Sequence, residues 1–249
     1  MDNTKNSGLY RKMGFYEKVV KRIIDIICSS LAIIVFSWLY VIIAIMVRVK
    51  LGSPVIFTQY RPGLIDPKTG KERIFKLYKF RTMTDKKDEE GNLLPDEERL
   101  TKFGAWLRST SLDELPEAFN ILNSSMTLVG PRPQLIRDLV FMTDEQRMRH
   151  TAKPGLSGLA QVSGRNAISW EKKIEYDLEY IKNISFWSDI KIILKTVLKA
   201  FVKQEGITEE GNVTAADYGD YLLLSKKISM EDYEKKQNEA KKILEGIDI

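Results

Sequence analysis

The longest uninterrupted apolar stretch lies near the amino terminus. Residues 26–47 include no charged side chain over 22 positions. As an α-helix this stretch would be about 33 Å long, against about 30 Å for the hydrocarbon core of a bilayer. It is longer than the apolar region of a signal peptide, and no small-residue cleavage motif follows it. The pattern predicts a membrane-inserted helix rather than a buried core helix.

Basic residues flank this stretch on both sides, which bears on its topology. Positive charge favours the cytoplasmic side of a membrane, so both flanks favour the same side. A helix that enters the bilayer and turns back satisfies both flanks, whereas a straight span satisfies only one. We therefore predict a re-entrant helix, with a straight span as the alternative. The flanking residues are Lys18, Lys21 and Arg22 before the stretch, and Arg48 and Lys50 after it.

Two segments after the apolar stretch have the pattern of β-strands. Residues 54–60 are rich in β-branched and aromatic side chains, and residues 73–80 alternate between polar and apolar. Between them lie residues that favour turns, namely Pro62, Gly63, Asp66, Pro67 and Gly70. The two segments therefore predict a short β-hairpin.

Helical periodicity dominates the rest of the chain. Ser169 has the character of an N-cap for the helix that follows it. The carboxyl-terminal segment predicts a helical appendage without an evident chemical role. The predicted helices cover residues 97–108, 112–122, 134–149, 170–182, 187–203 and 229–244.

The predicted helix 187–203 has a distinctive surface. Lysines recur every four residues along one stripe, at Lys191, Lys195, Lys199 and Lys203, beside a broad apolar face. Such a pattern is typical of a helix that lies in a membrane interface, although a core helix with solvated lysines has it too. The fold class that we predict is mostly α with a small β-hairpin (α+β), with a membrane-embedded re-entrant helix and interfacial amphipathic helices.

These patterns divide the 249 residues into three parts. Residues 1–50 form the membrane-inserted helix with its basic flank, residues 51–207 a catalytic domain, and residues 208–249 an acidic tail. Residues 205–249 contain eleven acidic and six basic side chains, so residues 1–204 carry a net charge of +10 within the total of +5. A basic body suits an anionic partner such as nucleic acid, anionic lipid or a phosphorylated metabolite.

Composition narrows the chemistry further. The chain has one cysteine, Cys28, and one histidine, His150. These counts exclude a disulfide framework and a zinc site built from several histidines or cysteines. Any catalysis must therefore use carboxylates, lysines, arginines, hydroxyl groups or the backbone.

The most informative segment contains two adjacent carboxylates, Asp113 and Glu114. Ser111 and Glu114 fit the capping-box pattern at the start of a helix, which would place both carboxylates in its first turn. Free N–H groups point the same way there, so this end of the helix can hold a phosphate, or a hydrated Mg²⁺ between carboxylates and substrate oxygens. Most segments with this pattern are only helix caps, so the pattern alone is weak.

Four arginines at predicted loop and strand ends strengthen the interpretation. A guanidinium donates two parallel hydrogen bonds to a phosphate, so a set of arginines favours a diphosphate ligand. Each arginine taken separately is more often a partner in a surface salt bridge. The candidate phosphate-binding residues are Arg61, Arg81, Arg108 and Arg132.

Several motifs resemble those of one bacterial family in order and spacing. The chain closely resembles the small monotopic phosphoglycosyl transferases, a family of bacterial sugar transferases, over residues 17–207. Residues 165–173 resemble the branch that transfers diacetylbacillosamine 1-phosphate. The motifs are Lys21-Arg-Ile-Ile-Asp25, Pro54-Val-Ile-Phe-Thr-Gln59, Lys79-Phe-Arg-Thr-Met83, Ser111-Leu-Asp-Glu-Leu-Pro116, Val129-Gly-Pro-Arg-Pro133 and Pro154-Gly-Leu-Ser-Gly-Leu-Ala-Gln161.

The resemblance implies a two-step reaction at the cytoplasmic face of the bacterial inner membrane. By the family pattern, Asp113 attacks the β-phosphorus of a UDP-sugar, releases UMP and becomes an acyl-phosphate. Polyprenyl (undecaprenyl) phosphate then accepts the phosphosugar, in the first membrane step of glycoconjugate assembly for exopolysaccharide or protein glycosylation. Glu114 and Mg²⁺ belong to the same centre, with Asp113 and Glu114 as the metal ligands. A homodimer is left open.

One departure from the family concerns the membrane helix. The family typically has a Ser-Pro pair that kinks this helix, whereas the chain has Ser37-Trp38 and no proline before Pro54. Two other classes of function compete with the enzyme. One is a non-enzymatic membrane scaffold, which would not depend on Asp113, and the other is a nucleic-acid binder, for which no sequence signature is apparent.

Overall fold

The computed structural model describes residues 9–164, 168–202 and 216–247, most of which are helical. The predicted mostly α class with a small β-hairpin is confirmed. A π-helical turn, Tyr16–Val20, leads directly into the first α-helix. The first elements are α1 (Lys21–Val35), α2 (Ser37–Leu51), β1 (Ile56–Ile65) and β2 (Glu72–Phe80).

The apolar stretch near the amino terminus forms two helices rather than one. Helices α1 and α2 meet at Phe36 with a bend of 63°. Hydrogen bonds continue across it, from the Phe36 amide to the Ala32 carbonyl (3.0 Å) and from the Tyr40 amide to the Phe36 carbonyl (3.0 Å). A bend therefore forms here without proline. Within the described residues, no single helix is long and apolar enough to cross a membrane, whereas this bent pair meets the same criteria.

Helix α1 buries a polar stripe against the protein and exposes apolar side chains on its opposite face. Lys21, Asp25 and Ser29, spaced four apart, are buried against the protein. Ile27 is 60% exposed and Ile34 is 70% exposed on the opposite side. Contiguous exposed apolar surface of this kind marks an interaction surface.

The predicted β-hairpin is confirmed. Strands β1 and β2 pair antiparallel, with Ile56 opposite Phe80 and an irregularity between Pro62 and Ile65. Two further short strands, β3 (Thr127–Val129) and β4 (Gly155–Ser157), pair in parallel. These pairs form two separate two-stranded sheets.

The predicted helix 97–108 is wrong as one element. It divides into α3 (Asp96–Arg99) and α4 (Lys102–Ser109). Leu100 has an extended backbone and forms a β-bridge with Met83. The Thr101 side chain then accepts the amide of Gly104 and starts a new helix. Tertiary pairing therefore interrupts the helical pattern.

The predicted helices 112–122 and 134–149 are also divided. The first becomes a 3₁₀ turn, Leu112–Glu114, and α5 (Glu117–Leu122). The second becomes α6 (Ile136–Leu139), α7 (Asp144–Arg147) and a 3₁₀ turn, Met148–Thr151. Thr143 caps α7 by accepting the amide of Gln146, so a local cap restarts the helix. A short helix, α8 (Leu159–Ser163), follows β4.

The remaining helices agree with the sequence predictions. Helix α9 (Trp170–Lys182) begins at the predicted cap, where Ser169 accepts the amide of Lys172. Helix α10 (Phe186–Val202) carries the lysine stripe, of which Lys203 lies outside the described residues. Leu194 and Leu198 on its apolar face are 57% and 60% exposed.

The carboxyl-terminal segment packs against the body of the protein. It contains α11 (Tyr218–Leu224) and α12 (Met230–Glu245), the latter confirming the predicted helix 229–244. Tyr218 and Leu222 pack with Trp170, and Ala240 packs with Ile136. This part of the tail is therefore integrated into the fold. The predicted boundaries of the three parts stay predictions, and residues 208–215 lie outside the described chain.

Candidate active site

The two adjacent carboxylates, Asp113 and Glu114, lie in the 3₁₀ turn Leu112–Glu114 before α5, which we call the carboxylate turn. Ser111 has a left-handed backbone (φ 55°) and its side chain caps nothing, so the predicted capping box is wrong. The Glu114 side chain instead forms tertiary contacts. Pro116, with φ −63°, suits a helix start, and α5 begins at the next residue.

Apolar contacts hold this turn against the bent helix pair. Leu112 and Leu115 pack on a buried cluster that includes Val47 of α2 and Phe80 of β2. The Tyr40 hydroxyl donates a hydrogen bond to the Leu115 carbonyl at 2.6 Å. Helix α2 and the carboxylate turn are therefore parts of one packed unit.

Two cations from different elements converge on Glu114. Lys79 at the end of β2 places Nζ 2.7 Å from Glu114 Oε1 and 3.2 Å from Glu117 Oε1. Arg132 lies in the loop of residues 130–135 between β3 and α6, which we call the Arg132 loop. Its Nη2 is 2.9 Å from the same Glu114 oxygen. Burial would raise the pKa of Glu114, but Lys79 and Arg132 outweigh it and hold this pKa well below its usual range. Glu114 is therefore ionised at neutral pH.

Asp113 differs from its neighbour in its surroundings. Asp113 is only 8% exposed. Within the described chain no lysine or arginine nitrogen lies within 4.0 Å of its carboxylate. Burial raises the pKa of Asp113 to about 6, with Glu114 contributing and Lys79 opposing. Burial and the charge of Glu114 also raise the pKa of Glu117 to about 7. The site thus contains one ionised carboxylate and two that titrate near neutral pH.

The predicted arginines are used in different ways. The Arg132 side chain is 44% exposed beside Glu114 and can reach a ligand. Arg108 donates a hydrogen bond through Nε to the Thr82 hydroxyl at 3.0 Å. Burial lowers the pKa of Arg108, and the nearby charge of Asp113 opposes this change.

The other two arginines bind backbone carbonyls. Arg61 donates to the Pro133 carbonyl at 3.2 Å and so contacts the Arg132 loop. Arg81 is engaged with the Ser53 and Met83 carbonyls and with Asp85. The role of all four in phosphate binding stays a prediction.

The Arg132 loop is supported by a second buried ion pair. Arg149 donates to the Arg132 carbonyl at 2.8 Å and pairs with Asp177 of α9. The loop also lies close to β4, since a Cβ on Gly155 would stand 2.0 Å from the Gly130 nitrogen. Glycine is required at this approach because any side chain would collide with backbone.

Sequence reasoning missed Lys79 and Glu117 as members of the site. Both lie within or beside the motifs that carry the family resemblance, Lys79 at the start of one and Glu117 directly after another. No local pattern separates them from surface charges. Only the tertiary pairing of β2 with the carboxylate turn brings them together.

The number of side chains that could bind the predicted Mg²⁺ limits how the protein would hold it. Within the described residues, no group of three or more His, Cys, Asp and Glu side chains is placed to hold a metal ion. Mg²⁺ at phosphate-transferring sites is usually held by one or two carboxylates together with substrate phosphates and water. Asp113 and Glu114 fit such a shared site, in which the substrate supplies further oxygens.

The chain matches the family described as bacterial sugar transferase over residues 16–203, and it belongs to that family. It is 49% identical over 197 residues to the uncharacterized sugar transferase EpsL of Bacillus subtilis, covering 79% of this chain and 94% of the relative. It is a bacterial phosphoglycosyl transferase.

Two longer relatives are named for specific reactions. The UDP-glucose:undecaprenyl-phosphate glucose-1-phosphate transferase of Klebsiella pneumoniae is 42% identical over 75% of this chain. The undecaprenyl-phosphate galactose phosphotransferase of Salmonella typhimurium is 35% identical over 76% of this chain. The aligned region spans 41% and 42% of these two relatives, respectively.

Proposed function

We propose that this protein transfers a sugar 1-phosphate from a UDP-sugar to undecaprenyl phosphate and releases UMP. The observation that carries the proposal is the buried Asp113 carboxylate, which no cation of the described residues pairs with, beside an ionised Glu114 that binds Lys79 and Arg132. The names of the relatives support the donor and acceptor classes, with glucose in one and galactose in another.

In the proposed first step, an Asp113 carboxylate oxygen attacks the phosphorus that bears the sugar. The bond from that phosphorus to the oxygen shared with UMP breaks, and UMP leaves with the electron pair. Asp113 is then an acyl-phosphate that carries the sugar. No lysine or arginine nitrogen lies within 4.0 Å of the Asp113 carboxylate among the described residues, so no side-chain ion pair holds it away from the phosphorus.

In the second step, a phosphate oxygen of undecaprenyl phosphate attacks the same phosphorus. The bond to Asp113 breaks, so the carboxylate is restored and a diphosphate-linked sugar is formed. Arg132 is exposed enough to bind substrate phosphate, and its guanidinium offsets charge that develops there. Lys79 keeps Glu114 oriented.

Asp113 and Glu114 would hold Mg²⁺ together with diphosphate oxygens of the substrate. The metal would supply positive charge that stabilises the leaving UMP. Glu114 suits this role because its pKa is held below the usual range, so its carboxylate is ionised throughout the neutral range.

The proposed location is the cytoplasmic face of the inner membrane. The support is the exposed apolar side of α1 and α2 and the exposed leucines of α10, next to a lysine stripe. An acceptor with a polyprenyl chain must present its phosphate at a membrane surface. The packing of α2 against the carboxylate turn brings that surface to the reacting group.

Trapping the intermediate tests the proposal directly. With UDP-glucose or UDP-galactose and no acceptor, we expect mass spectrometry to find a hexose phosphate on Asp113 and UMP in solution. Asp113→Asn should keep the fold but form no adduct and no product, because an amide cannot form the acyl-phosphate. A non-enzymatic scaffold would release no UMP with any sugar donor. Full turnover by the Asn variant would contradict the covalent route.

A further inference from the structure

A cavity of about 240 Å³ lies beside the first turns of α1, away from the carboxylate turn. Its wall includes Arg22, whose guanidinium donates to the Ile121 and Leu122 carbonyls at the carboxyl end of α5, both at 2.7 Å. Glu117, at the opposite end of α5, contacts Lys79 of the active site. Helix α5 therefore separates the cavity from the reacting carboxylate.

Cations outnumber carboxylates in the wall of this cavity. The charged residues that line it are Glu17, Lys18, Lys21, Arg22, Asp25 and Lys153. Both carboxylates already have donors. Glu17 pairs with Arg11, and Asp25 accepts the Thr127 hydroxyl at 3.0 Å and the Leu128 amide at 2.9 Å.

The four cations differ in what neutralises them. Lys21 is paired with Asp189, and Arg22 is bound to the two α5 carbonyls. Lys18 and Lys153 have no carboxylate within 4.0 Å among the described residues. The Lys153 ammonium donates only to the Ser124 hydroxyl in this part of the chain. Lys18 and Lys153 thus line the cavity with no carboxylate partner in the part of the chain that the structure describes.

Lys153 is the more telling of the two because it is partly buried. Burial, and then the charge of Arg22, lower the pKa of Lys153. A charged group that leaves water is normally paired with an opposite charge. The missing partner is therefore an anion that the cavity would admit.

Size and surroundings indicate the kind of anion. The volume corresponds to about eight water molecules at roughly 30 Å³ each and is below the ~300 Å³ typical of cavities for drug-sized ligands. A phosphate group fits this range, whereas a whole nucleotide sugar does not. Val19 in the π-helical turn and Ile23 in α1 are 40% and 52% exposed, and they are neighbours in sequence of the lining residues Lys18 and Arg22.

We propose that this cavity binds a phosphate group, through Lys18, Lys153 and Ser124, at a site separate from the reacting centre at Asp113. The phosphate can come from a phospholipid headgroup, whose chains would lie along the exposed side of α1, or from free phosphate. The proposal does not rest on the transferase reaction. It follows from the unpaired cations and the cavity.

Lysine labelling of the wild-type protein tests the site without any substitution. The protein in dodecyl maltoside, in phosphate-free buffer, is acetylated with a succinimidyl ester, and each lysine is quantified by mass spectrometry. Phosphatidylglycerol is added in one arm, diacylglycerol with the same chains in a second, and millimolar inorganic phosphate against equal ionic strength of chloride in a third. Lys235 and Lys241, exposed on α12, are internal controls.

We expect phosphate to slow acetylation of Lys153 about threefold, as for a site that is two-thirds occupied, with Lys235 and Lys241 unchanged. Protection by phosphatidylglycerol but not by diacylglycerol or inorganic phosphate identifies the headgroup as the source. Protection by inorganic phosphate identifies a site for free phosphate. Equal labelling of Lys153 in all arms would overturn the proposal.

Paired variants separate the site from general electrostatics. Lys18→Gln with Lys153→Gln removes two positive charges at the cavity, and Lys235→Gln with Lys241→Gln removes two on α12. By native mass spectrometry, the first variant should lose the bound phospholipid or phosphate and the second should retain it. Equal retention by both folded variants would overturn the proposal, as would equal loss.

Discussion

The surroundings of each carboxylate, rather than its position in the sequence, separate the roles of Asp113, Glu114 and Glu117. Glu114 has Lys79 and Arg132 as partners, so its charge is held at neutral pH. Asp113 is buried and has no such partner among the residues that the structure describes, and burial raises its pKa to about 6. Adjacent residues of similar chemistry can therefore serve as nucleophile and as charged anchor.

This difference predicts a pH dependence. In the proposed mechanism Asp113 attacks as the carboxylate, so kcat/KM should be level above its pKa of about 6 and fall about tenfold per pH unit below it. Glu117, with a pKa of about 7, is the competing group. In Glu117→Gln the acid limb should persist near pH 6 if it belongs to Asp113. Loss of the limb in that variant would assign it to Glu117 instead.

A second residue-scale prediction concerns Arg132. Arg132→Lys keeps the charge but loses the fork that binds two phosphate oxygens, so we expect kcat/KM to fall at least about tenfold, or roughly 1.4 kcal/mol. Arg73→Lys is the matched control, because Arg73 is 68% exposed and pairs only with Asp66 among the described residues. Unchanged kinetics in Arg132→Lys would make this guanidinium a structural group.

At the scale of elements, α1 and α2 meet at a bend although the Ser-Pro pair that is typical of the family is absent. The buried stripe of α1 accepts tertiary hydrogen bonds through Asp25, while α2 is held by Tyr40 and by Val47 in the core. Each helix is bound to a different part of the protein, and the chain bends where these attachments meet.

The bend predicts that both ends of the helix pair lie on one side of the membrane. Lys12→Cys, in a Cys28→Ser background, should be shielded from an impermeant maleimide in intact cells and react after lysis. Glu89→Cys, in a polar loop of the predicted cytoplasmic part, is the matched control for that side. Reaction of the Lys12 position in intact cells, with the Glu89 position still shielded, would show a span across the bilayer.

At the scale of the whole molecule, the carboxyl-terminal segment lies outside the family match, which ends at residue 203, and packs on the part of the chain that the match covers. The Tyr218 amide donates to Asp138 at 2.8 Å, and Asp138 also accepts the Leu135 amide next to the Arg132 loop. The Trp170 indole donates to the Ala216 carbonyl at 3.0 Å. The segment therefore contacts both α6 and α9 and braces them.

Removal of this brace should lower stability. Tyr218 is 4% exposed and stacks near Trp170, so Tyr218→Ala should cost about 3 kcal/mol and lower the Tm by roughly 6–12 °C. Leu224→Ala, on the same helix but 77% exposed, is the matched control and should change the Tm little. Equal Tm values for the two variants would show that the tail contributes no packing energy through Tyr218.

Reasoning from sequence succeeded where structure depends on neighbours along the chain. The hairpin follows from alternation and turn residues, α9 from helical periodicity and the Ser169 cap, and α12 from helical periodicity. It failed where distant segments compete with local preference. Leu100 leaves its helix to pair with Met83, and Glu114 leaves its cap to bind Lys79 and Arg132. These contacts join residues far apart in sequence, and burial then sets their charge states, which no local pattern encodes.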